Sequence, residues 1–166
     1  MIDYVLIPEE RKNILKKDKK WKKIIEKLSN VKVEINDSIK IISDDPLECL
    51  RAKEVFKAFG RGFDFNTSLN LLDEDYFLDI IRVDDFSGKS RNRRIELKGR
   101  VIGSKGKTKK LIEKYTNTKI SVYGKTISII GKGSDIKKAK EAIEMLLSGA
   151  MHKTVYRFLE KVGRNE

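Results

Sequence analysis

The sequence predicts an α+β protein made of two copies of one unit, each a three-stranded sheet with helices packed on one face. Two observations carry this expectation. The first half of the chain lies on the second at an offset of 87 residues with residue classes agreeing across most of the span, the mark of a duplicated structural unit. Each half also reads in the same order of strand, helix, helix, strand, strand, helix, and sheets with helices on one side make α+β sandwiches.

The repeat is read residue by residue. Asn13 falls on Arg100, so that Ile14 and Leu15 sit over Val101 and Ile102. Lys22 and Lys23 then meet Lys109 and Lys110, Ile25 and Glu26 meet Ile112 and Glu113, and Val33 and Ile35 meet Ile120 and Val122. One residue slips in the turn before "SIKII" and "TISII". The first offset returns at Ala52 over Ala139, and Gly62 falls on Gly149. The expected domains are residues 1–71 and 72–150, with 151–166 as a C-terminal helical extension.

Each element has a local reason, clearest in the second copy. Tyr76–Val83 is rich in aromatic and branched residues and reads as a strand. After the break "FSGKS", Ser90 caps a helix through "RNRRIELKGRVI". A turn at Gly103–Gly106 leads to a helix from Lys107 to about Tyr115, ended by Asn117. Two alternating strands around Tyr123-Gly124-Lys125 form a hairpin. Asp135 is the expected cap of a long helix with Ile136, Ala139, Ala142, Ile143, Leu146 and Leu147 at core spacing.

Charge narrows the function. Net charge is +12 and the pI is about 9.7, which favours a polyanionic partner, nucleic acid before membrane. No apolar run approaches the ~20 residues of a spanning helix, and "MIDYVLIPEERK" has no signal-peptide pattern. Cys49 is the only cysteine, so no internal disulfide forms, which suits a reducing cytoplasm. One His and one Cys cannot build a zinc site, and no Walker loop, nucleophile elbow or HExxH pattern occurs. The expectation is a binding protein without catalytic activity, metal, cofactor or small-molecule substrate.

The most informative stretch is "GRVIGSKGKTKKLIEKY", Gly99–Tyr115. Gly103 and Gly106 let the chain turn without Cβ clashes and leave room for a ligand backbone. The amides opening the next helix suit a phosphate, and Arg100, Lys105 and Lys107 add charge. From Arg91 to Lys110 there are nine basic residues and one acidic, Glu96.

A βααββα unit with Val101-Ile102-Gly103-Ser104-Lys105-Gly106 between its first two helices resembles the type I KH domain. That family clamps about four single-stranded nucleotides at this loop. The resemblance implies an RNA site of Arg100, Ile102, Gly103, Ser104, Lys105, Gly106, Lys107, Lys109, Lys110 and Lys125. It implies a groove floor of Ile102, Ile112, Ile120 and Val122, with the Tyr123–Lys125 turn as a movable wall. The first copy has Lys16-Lys17-Asp18-Lys19 at its loop and no glycine. Lys16, Lys17, Lys19 and Lys20 are a possible second RNA contact through phosphates, or this copy is mainly a structural partner. Trp21 either stacks on a base or anchors its helix.

Over its whole length the chain resembles the archaeal partner-of-Nob (Dim-two) family of small ribosomal subunit assembly factors, most specifically in "SVYGKT" and "VYRFLE". That resemblance implies binding near the 3′ end of small-subunit ribosomal RNA, with the Nob-type endonuclease and the alpha subunit of translation initiation factor two as partners. The alternative is a protein-interaction scaffold with little direct grip on RNA. An acidic island of Asp73, Glu74, Asp75, Asp79, Asp84 and Asp85 is expected to face away from RNA. Cys49 is expected to be a buried small apolar residue.

Overall fold

Strand alternation and helical periodicity place the elements largely where the residues call for them. The computed structural model describes residues 1–164. The chain divides into two units that meet between Tyr76 and Phe77. The first contains β1 (Ile2–Val5), α1 (Glu9–Lys17), α2 (Lys20–Leu28), β2 (Lys32–Ile35), β3 (Ile39–Ile42), α3 (Pro46–Gly60), the single-turn α4 (Phe65–Ser68) and a 3-10 turn at Leu69–Leu72. The second contains β4 (Tyr76–Arg82), α5 (Asp84–Ser87), α6 (Arg91–Ile102), a 3-10 turn at Ser104–Gly106, α7 (Lys107–Thr116), β5 (Lys119–Tyr123), β6 (Thr126–Lys132), α8 (Gly133–Leu147) and α9 (His152–Gly163).

The sheets run β1-β3-β2 and β4-β6-β5. In the antiparallel pair of β2 and β3, Val33 stands opposite Ile41, and in β5 and β6, Ile120 stands opposite Ile129. These inward pairs are buried. Leu97, Val101 and Ile112 from the first two helices and Ala139, Ala142, Ile143 and Leu146 from α8 complete the second core. Leu71 is buried and its 3-10 turn lies on α3, so the first unit continues past the expected boundary at Leu71. Val155 and Leu159 of α9 are fully buried in the second core. What reads as an extension is therefore part of that unit; the last two residues of the expected extension lie outside the described residues.

The duplication reappears as matching hydrogen bonds. Glu26 accepts the Val33 N–H at 3.0 Å, and Glu113 accepts the Ile120 N–H at 2.9 Å. Each carboxylate thus ties the second helix of its unit to the following strand. Gly62 and Gly149 take the same left-handed conformation, φ 98° and 101°. Each donates back to the end of its helix, to Phe59 O and Leu146 O.

At the first helix the structure corrects the alignment. Arg11 donates from Nε to Phe59 O at 2.9 Å and from Nη2 to Phe63 O at 2.7 Å. Arg100 donates from Nε to Leu146 O at 2.9 Å and from Nη2 to Ala150 O. Arg11, not Asn13, is therefore the counterpart of Arg100, and buried Lys12 the counterpart of buried Val101. Two residues more separate Arg11 from Trp21 than separate Arg100 from Thr108, and α1 absorbs them by running on to Lys17. Sliding the helix preserves the guanidinium bonds to Phe59 O in the last turn of α3 and to Phe63 O just beyond it, which outweigh matching side-chain classes.

Three smaller expectations meet the structure here. Ser90 caps α6 by accepting the Arg93 N–H. Asp135 does not cap α8: the helix begins at Gly133 with Lys132 at its cap, and Asp135 lies in the first turn, where a carboxylate meets the positive end of the helix dipole. Cys49 is fully buried on α3, and burial pushes its thiol pKa up, as befits an inert side chain.

Replacing Arg100 with Met is expected to remove two charge-assisted bonds and lower unfolding free energy by about 2 kcal/mol. Chemical denaturation measures this, and an unchanged midpoint would show that the helix end needs no such cap.

Candidate nucleic-acid interface

Helix α6 stops where its backbone enters a conformation that glycine alone adopts easily. Gly103 has φ 75° and ψ 173°, and its N–H still donates to Gly99 O at 2.9 Å. A Cβ there would lie 2.2 Å from Thr108 Oγ1 and 2.8 Å from the Thr108 amide nitrogen. Gly103 is thus required by both dihedral and contact. Lys105 and Gly106 follow in left-handed conformation, with φ 55° and 75°, and the Gly106 N–H closes the turn onto Gly103 O at 3.1 Å.

Gly106 differs from Gly103 in what surrounds it. The nearest atom to a Cβ at Gly106 would be Lys110 Cε at 3.9 Å, so the outer side of the turn is bare backbone open to solvent. Ser104 and Lys105 are exposed there. The amides that begin a helical turn have no acceptor within it, and α7 points its positive dipole end at the same place. A phosphate is the ligand this arrangement suits.

Not every cation counted from the sequence is available to that ligand. Lys105, Lys107, Lys110 and Lys125 are exposed and form no ion pair among the described residues. Lys109 is held by Glu113 at 3.4 Å. Arg93 pairs with Glu96 and Arg94 with Asp84. Arg100 must be withdrawn from the expected RNA contacts, because its guanidinium is spent on the end of α8.

The expected groove floor is also revised. Ile102 and Val122 are half-buried and offer apolar surface. Ile112 and Ile120 are closed into the core at 0% and 4% exposure, because one faces the sheet from α7 and the other faces α7 from β5; they support the floor from beneath. The hairpin turn is tied at two points. Gly124 O accepts from Lys98 Nζ at 2.7 Å, and Lys125 O accepts from the Val83 N–H at 2.9 Å. Sequence reasoning passed over Ile95 and Lys98. With Gly99 and Ile102 they form a stripe on α6 at helical spacing, and Ile95 is 57% exposed. Their spacing with Gly99 and Ile102 on one helical face was the available signal.

The first unit builds a different loop. Asp18 has an extended backbone, and its carboxylate accepts the Lys20 N–H at 3.1 Å. The side chain thus satisfies a backbone amide at the start of α2 and adds negative charge. Lys16, Lys17, Lys19 and Lys20 are exposed around it, a basic patch without a backbone cradle. Trp21 anchors its helix: it is buried, donates from Nε1 to Leu15 O at 2.8 Å, and sets its edge against Phe56 and Phe65. The acidic island is partly neutralised, since Asp79 pairs with Lys140, Asp84 with Arg94 and Glu74 with Arg51.

Comparison with known proteins agrees with this geometry. A family model for the second KH domain of PNO1, described as a eukaryotic type KH-domain (KH-domain type I), matches residues 77–164. The chain belongs to the PNO1 family of KH-domain proteins. A KH domain-containing protein of Methanocaldococcus jannaschii is 40% identical over 96% of this chain and 73% of its own length. The pre-rRNA-processing protein PNO1 of Candida glabrata is 33% identical over 71% of this chain, which spans less than half, 46%, of that relative. A chain in the crystal structure of the a/eIF2alpha–aDim2p–rRNA complex from Pyrococcus horikoshii OT3 superposes with a TM-score of 0.90 at 36% identity, covering 100% of this chain and 96% of that one. The fold of that Pyrococcus chain is therefore shared over both units.

The two loop glycines should separate in mutation. Gly103→Ala is expected to destabilise the second unit by about 2–3 kcal/mol through strain and clash. Gly106→Ala should cost about 1 kcal/mol, keep the fold, and still weaken binding of single-stranded RNA. Denaturation curves alongside RNA titrations check both; equal stability losses would refute the distinction.

Proposed function

We propose that this chain is an RNA-binding assembly factor of the small ribosomal subunit that holds a short single-stranded segment, near the 3′ end of the ribosomal RNA, at the glycine turn of its second unit. The observation that carries this reading is the open backbone at Gly106, flanked by Lys105, Lys107 and Lys110, which have no acidic partner among the described residues. Phosphates lie against the turn, and bases lie against Ile102, Val122 and the stripe of α6. The pre-rRNA-processing names of relatives and the rRNA in the Pyrococcus complex support the assignment.

The chain acts by binding rather than by catalysis, in the cytoplasm. Strand cleavage falls to a partner nuclease of the Nob type, and the alpha subunit of initiation factor two is a further partner. The a/eIF2alpha in the Pyrococcus complex favours the latter. It also keeps the scaffold reading alive as a second role, in which some surface of this fold serves proteins rather than RNA.

The test is a titration of wild type and the Ser104→Asp, Lys105→Asp double variant with a strand copied from the 3′ end of small-subunit ribosomal RNA. A duplex serves as control, and circular dichroism checks folding. Wild type should prefer the single strand, and the folded variant should lose affinity by about tenfold or more. Contact with four to six phosphates implies a log–log salt slope of about −3 to −4. A flat salt response, or equal binding by the two proteins, would remove the glycine turn from the mechanism.

A further inference from the structure

The duplicated framework exposes a difference on the side away from the sheets. In the second unit the 12-residue α9 covers α7 along its length. Tyr156 Oη lies 2.9 Å from Thr108 Oγ1 near one end. Near the other, Gly163 sits so close on the Tyr115 ring that a Cβ would lie 2.9 Å from it. In the repeat, Thr108, Leu111 and Tyr115 correspond to Trp21, Ile24 and Leu28, and His152 at the start of α9 corresponds to Phe65 at the start of α4.

The first unit begins the same covering helix and abandons it. Phe65 stacks its edge near Trp21, with ring centroids 5.9 Å apart, but α4 ends after one turn and the chain leaves to lie on α3. The rest of the face is bare. Ile14, Ile24 and Leu28 are 49%, 39% and 61% exposed. A groove of about 370 Å³ runs between Ile14, Trp21, Ile24, Phe59 and Phe65. Lys20, Lys23 and Lys27, all exposed, form a row along α2 at helical spacing, and Lys20 lines the groove together with Arg11, Asp18 and Asp64.

We propose that this face of α2 docks an acidic amphipathic helix of a partner protein in the place that α9 occupies in the second unit. An apolar face three to four residues in period fills the groove, and carboxylates on its flank meet the lysines of α2. The charge disfavours α9 of a second copy, which carries Lys153, Arg157 and Lys161 against Glu160. The inference uses the first unit alone and stands apart from the RNA reading of the second.

The test uses the full chain and a synthetic 18-residue helical peptide with Leu and Ile on one face and Glu on the rest. A proline-broken version and a Lys-for-Glu version serve as controls. Trp21, the only tryptophan, lies in the groove wall and reports binding by its emission. The Glu peptide should bind and shift that emission, and both controls should bind more weakly. The exposed pair Ile24→Ser, Leu28→Ser should weaken the peptide by about tenfold, and Lys23→Glu, Lys27→Glu should weaken it while reversing the preference between Glu and Lys peptides. The Ser104→Asp, Lys105→Asp protein should bind peptide as wild type does, and the Ile24/Leu28 variant should bind single-stranded RNA as wild type does, so each reading fails separately. Absence of peptide binding, equal binding by the Ile24/Leu28 variant, or loss of RNA instead of peptide in that variant would overturn the proposal.

Discussion

The guanidinium of Arg100 holds the working end of the second unit. It donates to Leu146 O in the last turn of α8 and to Ala150 O just beyond, while the Arg100 carbonyl accepts from His152 Nε2 at the start of α9 at 2.9 Å. Three helices are thereby fixed at one residue, three positions before Gly103. The glycine turn inherits its place from that junction. Arg11 does the same for α3 in the first unit, so the two units share an anchor even though the loops that follow have diverged. The common mechanical reason is that a two-pronged donor spans the last turn of a helix and the chain just beyond it, adding to the glycine N–H that already bonds the same helix carbonyl.

Upon that shared frame the two units solve the helix-to-helix turn in opposite ways. The second uses glycines and leaves bare backbone at Gly106 and lysines facing outward. The first extends its helix, bends through ordinary dihedrals at Asp18 and Lys19, and spends the Asp18 carboxylate on a local amide. One solution costs backbone strain at Lys105 and the freedom of two glycines, and leaves a bare surface for a phosphate backbone. The other is self-satisfied and keeps its lysines as a diffuse positive field. Divergence on the far side runs the other way: there the second unit is closed by α9 and the first is left open. Each unit thus presents one unsatisfied surface, polar backbone in one and apolar side chains in the other.

The charge of the chain acquires meaning only when pairs are removed. Of the basic residues between Arg91 and Lys110, Arg93, Arg94 and Lys109 are neutralised by Glu96, Asp84 and Glu113, and Arg100 and Lys98 are consumed by backbone carbonyls. Of those left without an ion pair among the described residues, Lys105, Lys107 and Lys110 gather at the turn and the first turn of α7, while Arg91 stands at the start of α6. Exposed ion pairs contribute little to stability, yet here they decide which positive charge is free to meet a polyanion.

The order of elements, the duplication, the Ser90 cap and the glycine turn were legible in the sequence because each depends on residues close together in the chain or on a period within one element. Steric freedom at Gly103, alternation in β5 and the apolar face of α8 need no distant partner to be recognised. The register of the first helix, the true task of Arg100, the enclosure of Ile112 and Ile120, and the single turn of α4 were decided by tertiary structure alone. The partners of Arg100 lie 46 and 50 residues away, and a count of charges cannot tell a cation facing water from one bonded to a helix end. Likewise an isoleucine at a groove position is floor or foundation according to what the opposite element covers, and that is settled only when helix and sheet meet.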